Sequence, residues 1–218
     1  MSAPTSTDAD RVPRYGAASR IIHWTIAVGY VLLMLSGFAL FHPGLYWLSA
    51  IFGGGSYMRI LHPFIGVGFA LVFLGYAAGL WRSNLLLPAD RIWLKKSLAV
   101  MQKKADVPVP GKYNAGQKMM FWAVTIVIPV LLVTGIFIWR PYFADSFTAD
   151  TRSAANLVHA IFGFLMFVVI GIHVYAAYWT KGSIAGMTRG YVSRAWAKAH
   201  HLAWYRQVTA GEEPRKDP

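Results

Sequence analysis

Cysteine is absent from the 218-residue sequence, and charged residues are scarce. Without cysteine the chain cannot form disulfide bonds, hold an iron–sulfur cluster on its own thiolates or attach a c-type haem through thioethers. Charged residues make up 14% of the chain and hydrophobic residues 56%. This balance excludes an ordinary soluble domain and is typical of a membrane protein.

Four segments, at 21–41, 60–81, 119–139 and 157–179, contain no Asp, Glu, Lys or Arg. Each is long enough to cross a bilayer, since a transmembrane helix needs about 20 residues. The first segment follows a polar tail and is too long for the apolar part of a signal peptide, so we interpret it as a retained helix. The sequence therefore predicts an all-α integral membrane protein with an N-terminal tail at 1–20, a four-transmembrane-helix bundle at 21–179 and a C-terminal segment at 180–218.

The basic residues are unevenly distributed outside these spans. Eighteen of the 21 Lys and Arg residues lie in the N-terminal tail, in the loop at 82–118 or after residue 179. The positive-inside rule assigns these three segments to the cytoplasm, so both termini are predicted to be cytoplasmic. Topology and attraction to anionic lipid account for the net charge of +12, and we expect no nucleic-acid partner. Short helices are predicted outside the spans at 90–102 and 193–199, the second with Ser193 as its N-cap.

Four histidines are the strongest polar groups in the charge-free spans: His23, His62, His159 and His173. A histidine inside a membrane is costly and indicates a functional site. His159 and His173 are 14 residues apart on the fourth span, which puts them on one face of a helix and about 21 Å apart along its axis. Because successive spans run in opposite directions, His23 and His173 are expected near the cytoplasmic face, and His62 and His159 near the outer face.

Two histidines at one depth on different helices suit the axial positions of a haem, so the sequence predicts two b-type haems, one near each membrane face. A structural zinc site needs four ligands and a non-haem iron site needs a carboxylate, and neither set is available at these depths. The residue four positions after each histidine is small, which leaves room for a flat ligand, although small residues are also common where membrane helices touch. These residues are Ala27, Gly66, Gly163 and Ala177, and Gly37 is a further small position on the first span.

Arg20 and Arg59 each precede one of these histidines by three residues. Arginine binds carboxylates through paired hydrogen bonds, so both are candidate partners of haem propionates; the alternative is that they only anchor helices at the interface. The remaining histidines, His42, His200 and His201, are not predicted to be ligands. Two other functions fit less well, because a proton-relay transporter would need carboxylates within the spans and a passive membrane anchor would not need histidines at matched depths.

Several longer motifs resemble those of the gamma subunit of respiratory formate dehydrogenase, a cytochrome b, and the resemblance covers roughly residues 20–205. Its most specific segments are Arg-Ile-Leu-His-Pro-Phe at 59–64, Gly-Lys-Tyr-Asn-Ala-Gly-Gln-Lys-Met-Met-Phe-Trp at 111–122 and Thr-Gly-Ile-Phe-Ile-Trp-Arg-Pro-Tyr-Phe at 134–143. In that family the haem ligands fall on the four histidines named above. Cytochrome b subunits of membrane-bound hydrogenases and thiosulfate reductases are more distant relatives, and a hydrogenase or related oxidoreductase subunit is the alternative.

The resemblance implies that formate is oxidised on a separate molybdenum or tungsten (alpha) subunit. Electrons then pass through an iron–sulfur (beta) subunit to this chain, which delivers them to quinone at the inner membrane of a bacterium. In the family the quinone pocket lies beside the inner haem, and its residues match Asn114, Gly116 and Gln117. A carboxamide can donate to a quinone carbonyl. The residues alone leave open the alternative that Asn114 caps the third span and Gln117 is merely interfacial.

Overall fold

Four long helices dominate the computed structural model, which describes residues 10–96, 111–140 and 142–210. They are α1 (Ala17–Phe41), α2 (Gly55–Leu80), α4 (Ala115–Ile138) and α5 (Ala149–Trp179). Each overlaps one predicted span and is long and apolar enough to cross a membrane. Each helix begins four to eight residues before its charge-free segment, because its first turns carry a basic residue that can remain outside the hydrocarbon. The prediction of four helices of transmembrane length is confirmed.

The surface of these helices is mostly apolar. Between 6% and 17% of the residues in their most apolar stretches are buried within the protein, and many of their large hydrophobic side chains are exposed. An exposed apolar surface of this extent needs a lipid or protein environment. The chain is therefore a multi-pass membrane protein.

A 3-10 helix, Pro43–Phe52, connects α1 to α2. His42 caps its start, because the ring Nδ1 accepts a hydrogen bond from the backbone N–H of Gly44 at 3.1 Å. Gly53 ends it with a φ of 81°, a left-handed conformation that favours glycine. Leu48 and Phe52 of this segment pack against Ala39 and Met58. His42 therefore has a structural role, as expected for a histidine outside the spans.

The chain divides into two compact units, which we name by their contents. The histidine unit comprises Ile21–Gly79 and Trp122–Tyr175, and the sheet unit comprises Met1–Arg20, Leu80–Phe121 and Ala176–Pro218. The histidine unit contains all four predicted ligands. No two of the four long helices pack with close backbone contact over an extended stretch of the described residues, so the helices of the histidine unit meet mainly through side chains.

The sheet unit contains a feature that the all-helical prediction missed. β1 (Arg11–Pro13) pairs antiparallel with β2 (Tyr191–Ser193), and Val12 lies opposite Val192. Both valines are buried with residues of two short helices, α7 (Arg194–His200) and α8 (Leu202–Val208). Three-residue strands have no clear alternating pattern, and this pairing joins segments about 180 residues apart, so the sequence carried no local signal for it.

The short helices of the sheet unit agree in part with the predictions. Ser193 caps α7, as predicted, because its hydroxyl accepts a hydrogen bond from the backbone N–H of Trp196 at 3.1 Å. The helix predicted at 90–102 is present as α3 (Pro88–Lys95), and the part of that prediction at 97–102 lies outside the described residues. One further helix, α6 (Ile184–Thr188), precedes β2.

A buried ion pair links α3 to the start of α4. Lys118 Nζ lies 2.7 Å from Asp90 Oδ2, and their side chains are 8% and 12% exposed. The same carboxylate oxygen accepts a hydrogen bond from the backbone N–H of Leu87, just before α3. Removing either partner would leave an unpaired buried charge, which costs about 3–5 kcal/mol. The pair therefore joins α3 to the start of α4.

Candidate haem-binding site

The structure brings the four predicted histidines together in two pairs within the histidine unit. The ring centres of His23 on α1 and His173 on α5 are 6.3 Å apart. The ring centres of His62 on α2 and His159 on α5 are also 6.3 Å apart. The pairing is the one that spacing and topology predict, and α5 contributes one histidine to each pair.

The distance within each pair fits two ligands on opposite sides of one metal ion. A metal–imidazole bond is about 2 Å long, so two such ligands have ring centres roughly 6 Å apart. Among the described residues no group of three or more His, Cys, Asp or Glu side chains converges as a metal site. Two imidazoles with no further protein ligand match the needs of haem, whose macrocycle supplies the other four positions.

The two pairs differ in their hydrogen bonds. In the His62–His159 pair, Nδ1 of His62 lies 2.7 Å from the Ser36 hydroxyl, and Nδ1 of His159 lies 2.9 Å from the Thr134 hydroxyl. In the His23–His173 pair, Nδ1 of His23 is buried and has no hydrogen-bond partner in the described part of the chain. Metal-bound histidines usually donate their other ring N–H to an acceptor, which fixes the ring orientation. Among the described residues, side-chain hydroxyls give this support to the His62–His159 pair alone.

Small residues lie beside the supported pair. A Cβ atom built on Gly37 would be 3.8 Å from His62 Cε1, and one built on Gly135 would be 3.4 Å from His159 Cε1. A Cβ on Gly163 would meet no atom within 4 Å, and one on Gly66 would meet only Leu33 at 3.7 Å. Gly171 has equally open surroundings, so the assignment of these small residues to a flat ligand stays a prediction.

The two arginines that precede histidines have different environments. Arg20 donates a hydrogen bond from Nη1 to the backbone carbonyl of Thr188 at 2.8 Å, while its Nε is buried and has no partner among the described residues. Arg59 is exposed. Both guanidinium groups retain donors for an additional acceptor, so their assignment as propionate partners stays a prediction.

Comparison with known proteins identifies the family. Residues 14–190 match the model of the prokaryotic cytochrome b561 family. The chain is 43% identical over 201 residues to the nitrate-inducible formate dehydrogenase cytochrome b556(Fdn) subunit of Escherichia coli strain K12, covering 90% of this chain and 91% of that one.

The chain belongs to the prokaryotic cytochrome b561 family. It is also 40% identical over 214 residues to the formate dehydrogenase cytochrome b556(fdo) subunit of the same strain, covering 95% of this chain and 98% of that one. It is 37% identical over 208 residues to the formate dehydrogenase cytochrome b556 subunit of Haemophilus influenzae, covering 95% and 87%. The resemblance to formate dehydrogenase cytochrome b subunits is confirmed, and membership of a cytochrome b family makes haem b the expected cofactor.

In this family member, the predicted quinone residues form the N-terminus of α4. The side-chain oxygen of Asn114 accepts a hydrogen bond from the backbone N–H of Gln117 at 2.9 Å, and the side-chain oxygen of Gln117 accepts one from the backbone N–H of Asn114 at 3.0 Å. This reciprocal arrangement is a capping box. A Cβ on Gly116 would lie 3.3 Å from the Trp93 ring, so the glycine allows close approach of α3. Capping uses only the carboxamide oxygens and leaves both side-chain NH₂ groups as donors.

The environment of His201 was not predictable from the sequence. This side chain is 2% exposed. Its Nδ1 donates to the carbonyl of Gly111 at 2.8 Å, and its Nε2 accepts from the Arg14 guanidinium at 3.2 Å. Burial, together with the positive charge of Arg14, lowers the pKa of His201 to about 4. Both ring nitrogens are occupied by protein groups, which gives His201 a structural role.

Arg14 is the centre of that cluster and was also missed. It is 6% exposed, and its guanidinium carbon lies 5.1 Å and 4.8 Å from the ring centres of Trp196 and Trp204. It also donates to the backbone carbonyl of Lys112 at 2.9 Å. Arg14 has no carboxylate partner in the described ranges, and the cation–π contacts and this hydrogen bond offset the cost of burying its charge. Only the folded chain brings these distant segments together.

Proposed function

We propose that this chain is the dihaem cytochrome b subunit of a formate dehydrogenase. It carries electrons across the inner membrane of a bacterium, from an iron–sulfur subunit on the outer side to quinone on the cytoplasmic side. The observation that carries the proposal is the presence of two histidine pairs with the same 6.3 Å ring spacing. They occur in a chain that is 37–43% identical to formate dehydrogenase cytochrome b556 subunits.

The residues assigned to haem are His62 with His159 and His23 with His173. Haem iron supplies a one-electron couple at each pair. The two histidines of α5 are 14 residues apart, which is about 21 Å along a helix axis. That distance is a large part of the ~30 Å hydrocarbon core, so one helix positions a ligand near each side of the membrane. Arg20 and Arg59 are the proposed partners of haem propionates.

The direction of transfer follows from charge and from the proposed donor. The basic segments support a cytoplasmic location for both termini and for the start of α4. The chain has no cysteine, so an iron–sulfur donor has to be a separate (beta) subunit, with formate oxidised on a molybdenum or tungsten (alpha) subunit. Moving an electron inward opposes the membrane potential by about 2.3 kcal/mol per 100 mV, which oxidation of the donor must supply.

The proposed quinone contacts are the side-chain NH₂ groups of Asn114 and Gln117, with Gly116 between them. Their oxygens are engaged in the capping box, and a quinone carbonyl requires donors rather than acceptors. The capping box also holds the two carboxamides in fixed positions, which reduces the entropy lost when a ligand binds.

The donor is tested in sealed right-side-out membrane vesicles that contain the native complex. Formate should reduce two b-type haems per chain, and an impermeant inhibitor of the donor subunits should block this from outside. A quinone-site inhibitor should leave both haems reduced. If hydrogen reduces the haems and formate does not, the chain serves a hydrogenase and the formate assignment is wrong.

The quinone site is tested with substitutions that separate capping from donation. Asn114→Asp and Asn114→Ser retain a capping oxygen but remove the NH₂ donor, whereas Asn114→Ala removes both. All three should slow quinone reduction while formate still reduces the haems. If Asn114→Asp and Asn114→Ser reduce quinone at the wild-type rate and Asn114→Ala does not, Asn114 acts only as a helix cap.

A further inference from the structure

Two matching dipeptides lie against the His62–His159 pair. Ser36 and Gly37 on α1 contact His62 on α2, and Thr134 and Gly135 on α4 contact His159 on α5. The hydroxyl residue precedes its histidine by 26 residues in one half of the chain and by 25 in the other. Each half of the histidine unit therefore supplies one hydroxyl, one glycine and one histidine in the same order.

The hydrogen bonds of Ser36 determine where the proton on His62 lies. The Ser36 hydroxyl is 2.7 Å from the backbone carbonyl oxygen of Leu32 and also 2.7 Å from His62 Nδ1. Two oxygens at that distance repel each other unless a proton lies between them, so the only hydroxyl proton is directed to the carbonyl. The hydroxyl oxygen must then accept a hydrogen bond from His62 Nδ1–H. This tautomer leaves the Nε2 lone pair free to bind a metal.

Thr134 imposes the same tautomer on His159. Its hydroxyl is 2.7 Å from the carbonyl oxygen of Val130 and 2.9 Å from His159 Nδ1. Serine and threonine in membrane helices often bond only to a carbonyl one turn earlier. The contact with an imidazole nitrogen is the additional feature here, and it occurs at both histidines of one pair.

Burial makes these contacts obligatory. Ser36 is 0% exposed and Thr134 is 9% exposed, and a buried hydroxyl or N–H without a partner is costly. The adjacent glycines complete the arrangement, because a larger side chain at Gly37 or Gly135 would be pressed against the Cε1 edge of the ring. The hydrogen bond and the glycine surface together limit rotation of each imidazole.

We propose that Ser36 and Thr134 are positioning residues for the haem bound by His62 and His159. By accepting a hydrogen bond from Nδ1–H, they present Nε2 to the iron and make each imidazole a stronger electron donor. A more basic ligand favours the oxidised iron, so this haem has a lower reduction potential than it would have without the two hydroxyls. The proposal rests on the proposed haem ligation. It predicts that the two haems differ in potential because side-chain hydroxyls of this chain contact the axial histidines of one haem.

The test compares Thr134→Val, which removes the acceptor at nearly constant volume, with Thr134→Ser, which keeps it. Ser36→Ala is the second acceptor deletion. The full complex is purified, haem content is measured by the pyridine haemochrome assay, and each haem is titrated against potential by its absorption band. The haem that shifts is identified by its absence in His62→Ala.

In Thr134→Val and Ser36→Ala, the potential of that one haem should rise. The ratio of reduced to oxidised haem at a fixed potential should increase about twofold to tenfold, the range expected for loss of one buried hydrogen bond. Tenfold corresponds to about 59 mV for a one-electron couple. Its low-spin electron paramagnetic resonance signal should change as the ring becomes free to rotate. Thr134→Ser should retain the wild-type values, and the other haem should not change in any variant.

Two results would overturn the proposal. One is that Thr134→Val and Ser36→Ala keep both haems with unchanged potentials and resonance signals. The other is that Thr134→Ser reproduces the effect of Thr134→Val, whether as a shift or as loss of one haem, because packing rather than the hydroxyl would then be responsible. Loss of one haem in Thr134→Val that Thr134→Ser restores supports the proposal. Absence of two haems from the wild type would contradict the proposed function instead, before any variant is compared.

Discussion

The two histidine pairs have the same ring spacing but different surroundings. His62 and His159 each hydrogen bond through Nδ1 to a buried hydroxyl, whereas Nδ1 of His23 is buried without a partner among the described residues. The shared spacing of 6.3 Å fits the task proposed for both pairs, which is to hold one metal ion between two imidazoles. The different support indicates that the two haems should differ in ligand orientation and in potential, which is useful when one must pass electrons to the other.

His201 makes the comparison sharper, because it is buried and hydrogen bonded but is not a ligand. Both of its ring nitrogens contact protein groups, Gly111 O and the Arg14 guanidinium. The Ser36 and Thr134 hydroxyls contact His62 and His159 at Nδ1, and no hydrogen bond to Nε2 of either ring is seen among the described residues. A free second nitrogen, rather than burial, therefore distinguishes a candidate ligand from a structural histidine.

The largest expected effect is the loss of one haem at a time. His62→Ala and His159→Ala should each remove the haem of the supported pair, and His23→Ala and His173→Ala should each remove the other, because one axial imidazole is lost. The pyridine haemochrome assay and the absorption spectrum measure this. His42→Ala is the matched control and should retain both haems. If either pair tolerates both of its substitutions without loss of haem, that pair is not a haem site.

A smaller effect is expected when Gly37 or Gly135, beside the His62–His159 pair, is replaced by a larger residue. Gly135→Val should lower occupancy of that haem, since the Cβ position is already 3.4 Å from His159 Cε1 and overpacking costs about 1–3 kcal/mol. Gly37→Val should have a weaker effect, because its Cβ position is 3.8 Å from His62 Cε1.

Gly171→Val is the control for this pair of substitutions, because a Cβ at Gly171 would meet no atom within 4 Å. Haem content per chain and the spectrum of the remaining haem are the measurements. Equal haem content in Gly135→Val and Gly171→Val would contradict a steric role for the glycine beside His159.

The smallest effect on haem content should come from the structural histidine, whose substitution should instead change the pH dependence of stability. The pKa of His201 is lowered to about 4 in the folded protein, so between pH 6.5 and 4 the unfolded chain binds more protons at this position than the folded chain does. Stability from this group is therefore fully present above pH 6.5 and is lost as the pH falls toward 4, by up to about 3 kcal/mol. Thermal unfolding of wild type and His201→Gln across this range measures the difference.

His201→Gln should show a weaker loss of stability on acidification, because glutamine does not titrate. At neutral pH it should still bind both haems, which separates it from the four ligand substitutions. An unchanged pH dependence in His201→Gln would mean that this histidine is not held neutral by its surroundings.

Much of the membrane architecture was predictable because its signals are local. Twenty or more residues without charge can satisfy their backbone in a bilayer only as a helix, so the four spans followed from composition. The pairing of His23 with His173 and of His62 with His159 followed from helix direction and a 14-residue spacing on one helix. The helices were longer than the charge-free segments because basic residues in their first turns remain compatible with helix outside the hydrocarbon.

The details that separate the two pairs were not predictable in the same way. Ser36 and Thr134 are ordinary residues for a membrane helix, and only their hydroxyl–glycine repetition before the two histidines offered a signal. The strand at Arg11–Pro13 and the burial of Arg14 depend on contacts with residues near 190–204. The sequence alone left open whether Asn114 and Gln117 cap a helix or contact quinone. The capping box in the structure is compatible with both roles.

The sequence by itself determined the membrane class, the number of spans and which histidines share a depth, because hydrophobic length and helical periodicity act along a single segment. The tertiary structure decided which side chains of neighbouring helices reach each imidazole nitrogen, and therefore which tautomer and which orientation each candidate ligand adopts. Such contacts depend on how helices rotate against each other by fractions of a turn. A pattern of residue types along one helix does not specify that rotation, whereas buried hydrogen bonds with strict distances do.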